Sequence, residues 1–135
     1  MNVSKLWQSR YHDDPMIDQI LDEVGQYVEN EEKSFLIIEV PNVPFFIQVA
    51  KVGEDLLLDV PKSVLFSQEL EKNLLELMLD RYRKYALRNE DEGRLISWQF
   101  RFPVGETNKL CYVAREVLTT VFELPDSINL TIASR

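Results

Sequence analysis

Between Ser34 and Pro61 the chain reads SFLIIEVPNVPFFIQVAKVGEDLLLDVP, and this stretch restricts the fold more than any other. It contains three short apolar runs, joined by VPNVP and by the turn at Gly53. Proline cannot donate to a ladder, so Pro41 and Pro44 belong at strand ends. Gly53 with Glu54 and Asp55 marks a second turn. The pattern predicts strands near 34–40, 44–51 and 55–60. Links this short favour antiparallel hairpins, because a parallel crossover needs about a dozen residues or more. The simplest arrangement is a three-stranded meander.

These strands lack the clean alternation of a sheet with one wet face. Phe35, Ile37 and Glu39 point one way; Leu36, Ile38 and Val40 point the other. Phe45, Ile47 and Val49 alternate with Phe46, Gln48 and Ala50, and Leu56 and Leu58 with Leu57 and Asp59. One set must pack under helices. The other set, which includes Phe46 and Leu57, leaves an apolar face, and extended exposed apolar patches usually mean a partner. The N-terminal arm or the last strand would cover that face equally well. Glu39, Gln48 and Asp59 break the apolar pattern and are expected on alternating sides. The face with fewer breaks is expected under the helices, the other at a binding surface.

The flanking segments supply the helices. Asp14 before Pro15 is an N-cap followed by proline at the first helical position. Ile17, Ile20, Leu21, Val24 and Val28 follow at helical spacing, and this helix ends near 30–33. Leu70, Leu74, Leu77, Met78 and Tyr85 predict a second helix over about 67–88, capped by Ser67. Leu75, Leu79, Tyr82 and Ala86 add a second apolar line, so its arc exceeds the ~100° stripe of a surface helix and touches more than one neighbour. Asp80 and Lys84 are spaced for an i, i+4 pair. Asn89 to Gly93 reads as a loop, LISWQFRFP as a strand, 108–124 as a third helix and INLTIA as a last strand. The expected order is α-β-β-β-α-β-α-β. The fold class is α+β: a mostly antiparallel sheet with helices on one face. One domain over 1–135 is expected, with residues 1–13 as a flexible arm.

Composition narrows the function. The 135 residues carry a net charge of −8. A surface of that sign repels phosphate backbones, which argues against nucleic acid. Arg81, Arg83, Lys84 and Arg88 form the longest basic cluster, among acids. The single cysteine, Cys111, rules out a disulfide within the chain and fits a reducing compartment. No signal-peptide pattern opens the sequence, and no apolar run approaches the ~18 residues that would cross a bilayer. A cytoplasmic chain with no membrane association is expected.

No residues converge into a recognisable chemistry. His12 is the only histidine and lies in HDD, where an exposed arm and a cap explain it better than a metal or a base. Spacings such as CxxC or HExxH are absent. Cys111 falls in the first turn of the third helix, where the dipole lowers a thiol pKa, but free cysteine commonly serves as a small buried apolar residue. Asn89 to Glu92 lacks the ligand alternation of a calcium loop. Glu39 and Asp59 fit either a carboxylate pair or charges that discourage strand-to-strand aggregation. No cofactor, metal or catalytic residue is expected, and an enzyme ranks below a binding protein.

The sequence resembles the type III secretion chaperone-like fold, and most closely its YbjN-like branch. Three segments carry the resemblance: Ile17 to Val28, Phe45 to Pro61, and the third helix ending in VLTTVFELP, Val117 to Pro125. It spans roughly 14–125. The resemblance implies a non-enzymatic, usually dimeric module that holds a partner polypeptide. In that family, sheet surfaces and the first helix bind an extended segment, and the second helix with the following strand commonly builds the dimer. The family has two strands between its second and third helices, where one is read here. It usually ends on the third helix, where INLTIASR adds a strand. The resulting expectation is a chaperone-like protein-binding module, a homodimer with a protein partner. Phe46, Leu57, Trp98 and Phe100 are its expected contact residues. The alternative is an immunity-type protein whose acidic surface neutralises a basic toxin.

Overall fold

A computed structural model describes residues 14–135. The expected arm over 1–13, with Leu6, Trp7, His12 and Asp13, lies outside the described residues. The elements are α1 (Pro15–Glu29), β1 (Phe35–Glu39), β2 (Phe46–Val52), β3 (Asp55–Pro61), α2 (Gln68–Arg81), β4 (Ala86–Asp91), β5 (Arg94–Pro103), α3 (Thr107–Glu116) and β6 (Thr131–Ser134). A π turn, Val117–Val121, extends α3. Every expected element is present in the expected order, and β4 is an additional strand between α2 and β5. The sheet runs β4-β5-β3-β2-β1-β6, with each neighbouring pair antiparallel. The class is α+β, as expected, with the helices on one face.

Local chemistry explains the boundaries. Oδ1 of Asp14 accepts the N–H groups of Met16 and Ile17 at 3.0 and 3.2 Å, capping α1. Its Oδ2 accepts Arg115 Nε at 2.8 Å, which ties that helix start to α3. Val43 N–H returns to Val40 at 3.4 Å across Pro41 and Asn42, the latter at φ 67, as in a type II turn. Gly53, at φ 60, is the first of two loop residues between Val52 and Asp55, where a Cβ would be strained.

The second helix ends earlier than its apolar spacing suggests, at Arg81 rather than near 88. Tyr82 leaves helical geometry at φ −127 and sets its ring edge-on to Phe100, 6.2 Å between centroids. Tyr85 stacks on Phe102 at 4.5 Å, and its carbonyl accepts Arg101 N–H at 2.8 Å. Contacts with β5 thus outweigh the helical periodicity, and the i, i+4 geometry expected for Asp80 and Lys84 does not form. Residues 86–91, expected as helix end and loop, become β4. Glu92 and Gly93, at φ 49 and 78, close its hairpin with β5, the backbone of a type I′ turn.

The core lies between the sheet and the helices. Leu36, Ile38, Ile47, Val49, Leu56, Leu58, Val60, Phe100 and Phe102 meet Ile20, Val24, Leu110, Val113 and Val117 there, all fully or almost fully buried. Cross-strand pairs Leu36↔Val49, Val49↔Leu58 and Leu58↔Phe100 form a continuous buried row across four strands.

Candidate functional site

The opposite face of the sheet has no described helix over it. Three rows cross it. One runs Phe35, Ala50, Leu57, Arg101; a second runs Ala133, Ile37, Gln48, Asp59, Gln99, Leu87. The third contains Thr131, Glu39 and Phe46 on one side and Pro61, Ser97 and Asn89 on the other. The last strand does not cover this face; it pairs edge to edge with β1. Phe35 is 47% exposed and Leu87 42%. Ile37, Phe46, Ala50 and Leu57 are half-buried.

The centre of the face is polar and carries a hydrogen-bond network. Asn89 Nδ2 donates to Ser97 Oγ at 3.0 Å, and Ser97 Oγ donates to Asp59 Oδ1 at 2.5 Å. Gln99 Nε2 donates to the same oxygen at 2.9 Å. Arg101 Nε reaches Asp55 at 2.7 Å. Glu39, Gln48 and Asp59 all lie on this face, not on alternating sides. The β1–β2 and β2–β3 registers align Ile37, Gln48 and Asp59 in one row. The helices therefore cover the face without polar breaks, as the counting rule anticipated.

The four expected contact residues divide between the faces. Phe46 and Leu57 are on the open face. Phe100 is 0% exposed and belongs to the core, which corrects its expected place at the surface. Trp98 also faces the helical layer, half-buried in register with Val60 and Arg88. The Arg88 guanidinium lies 5.4 Å from the Trp98 ring centroid, and Trp98 Nε1 is buried without a hydrogen-bond partner among the described residues. The registers Leu58↔Phe100 and Val60↔Trp98 place both aromatics inside.

A second surface, uncovered by the described residues, lies along α2. A groove of about 640 Å³ is lined by Leu65, Phe66, Leu75 and Leu79, with Lys62, Glu71, Lys72, Glu76 and Asp80 along its rim. Phe66 is 62% exposed and Leu79 52%. Phe66 ends an aromatic stack, with its centroid 5.7 Å from Phe45, which lies 4.3 Å from Phe122. The second apolar line of α2 contained the signal for this groove. Phe66 sits in a connector with no periodicity to reveal it.

The chemical candidates do not assemble into a site. Cys111 is fully buried, and burial pushes its thiol up to about 12, far from a reactive thiolate. Glu39 and Asp59 stand two strands and two residues apart, about 12 Å at ordinary strand spacing and rise. Asp91 is paired with Arg94 across the hairpin, and Glu90 with Arg88 in an ion pair. Among the described residues no cluster of three potential metal ligands occurs, and no helix is long and apolar enough to cross a membrane.

The fold and its surfaces define a class: an α+β domain with one dry sheet face and one over which no described helix lies. Comparison with protein-family models, curated proteins and solved structures finds no match.

Proposed function

We propose that the chain is a non-enzymatic, chaperone-like protein-binding module that uses the open face of its sheet, with a second copy as the occupant tested first. The observation carrying this reading is the apolar row Phe35, Ala50, Leu57, with Ile37 and Phe46 beside it, on a face without a described helix. Hydrogen bonds already engage Asp59 Oδ1 and Gln99 Nε2 at its centre, and an ion pair engages Arg101 at its end, which lowers the cost of covering those atoms. The two strands between α2 and α3 also support the reading, because the resemblance expects two there.

Sedimentation at micromolar concentration tests it. The expected result is a dimer that Leu57→Asp converts to monomer while far-UV circular dichroism is retained. A wild-type chain that is monomeric throughout, or a dimer indifferent to Leu57→Asp, would overturn it.

A further inference from the structure

The groove along α2 is separate from the open sheet face, and its charges are unevenly compensated. Lys62 pairs with Glu71 at 3.4 Å and Lys72 with Glu76 at 3.9 Å, so both rim lysines are engaged by rim acids. Arg81, in the last turn of α2, is directed to the buried Glu116 at 3.4 Å. Asp80 and Glu123 then stand at the same end of the helix with no ion pair among the described residues. A helix C-terminus carries partial negative charge and favours cations. Asp80 opposes that preference, so helix stability does not explain it. Arg83 and Lys84 follow just beyond the helix end but line neither this groove nor the hollow beside Glu123. Beside Asp80 lies the apolar floor formed by Phe66, Leu75 and Leu79. From Gln68 to Asp80 the helix wall is about 18 Å long at 1.5 Å per residue, enough for three to four turns of a partner helix.

We propose that this groove receives an amphipathic helix of a partner protein, with its apolar stripe on Phe66, Leu75 and Leu79 and a lysine or arginine beside Asp80. Helix-in-groove recognition uses apolar anchors one turn apart, and the flanking charge selects the partner. This inference does not depend on pairing through the sheet face.

Two synthetic helical peptides with the same leucine stripe test it, one flanked by lysines and the other by glutamates. Fluorescence anisotropy is measured with the full chain. The lysine peptide is expected to bind at least about tenfold more tightly, with the preference shrinking as salt is raised. Leu79→Asp should weaken it about tenfold or more. Asp80→Lys should reverse the preference, whereas Glu31→Lys, an equal charge change on the exposed turn after α1, should not. Leu57→Asp should leave peptide binding intact even if it splits a dimer. Three results would overturn the proposal: equal binding of both peptides, equal effects of Asp80→Lys and Glu31→Lys, or a wild-type dimer that Leu79→Asp dissociates. The last would assign the groove to a second copy of the chain.

Discussion

Leu57 and Leu58 are neighbours on β3, yet they belong to different environments. Leu58 is fully buried between Val49 and Phe100. Leu57 is half-buried between Ala50 and Arg101 on the open face. Strand pleating separates them, but the helical layer creates the contrast in energy. An apolar side chain under α3 contributes to folding. One on the open face completes its burial only against something else. The comparison separates residues that hold the fold from residues available to a partner.

The strongest way to break that contrast is truncation on each face. Phe100→Ala should destabilise the chain by about 3–5 kcal/mol, the transfer term plus a cavity beneath Tyr82. Leu57→Ala should cost about 1 kcal/mol or less. Urea midpoints for the two variants, taken at a concentration where both sediment as monomers, check this. Similar losses at both positions would mean that the open face is covered within the monomer.

That asymmetry was only partly legible in the sequence. The parity of Phe46 and Leu57 was readable because short turns connect β1, β2 and β3, and a short turn fixes register. Asp14 with Pro15 was readable because a cap is local chemistry. Trp98 and Phe100 were not, because β5 pairs with β3 across the whole of α2 and β4. Its register depends on long-range packing, and a one-residue slip would exchange its faces. Glu39, Gln48 and Asp59 show the same dependence: each break was visible, but their common side appeared only once both registers were aligned.

The dryness of the helical side has its own measurable signature. Burial raises the Cys111 thiol from an ordinary 9.0 to about 12. The folded state therefore holds this proton more tightly than the unfolded state. The associated stability is fully present below pH 9 and is lost as pH rises from 9 towards 12. By pH 10.5 the loss is about 2 kcal/mol from this group alone, taking ~1.4 kcal/mol per pH unit. Tyr27 and Tyr112 are raised by burial as well, so the wild-type alkaline limb contains more than one contribution. The difference between wild type and Cys111→Ala isolates the thiol. The two stability profiles should run parallel below pH 9, and above it the wild type should fall relative to Cys111→Ala. Profiles parallel up to pH 11 would show that water reaches the site.

The contrast between faces fades at β4. Ala86, Arg88 and Leu87 are exposed or half-buried whichever way they point. No period of two therefore marked ALRNED as a strand, and the spacing of Tyr82, Tyr85 and Ala86 suggested helix instead. The hairpin supplies the register that burial does not. Its weak point is Glu92, which holds φ 49 where asparagine or glycine is the usual choice. Glu92→Asn should stabilise the chain by about 0.5–1 kcal/mol, because asparagine tolerates the left-handed region. Glu92→Val should destabilise it by at least as much, since a β-branched side chain resists positive φ. Thermal unfolding of both variants gives the comparison, and amide exchange should change first at Ala86–Asp91. Shifts of the same sign in both would mean that long-range contacts with β5, rather than this turn, hold the strand in place.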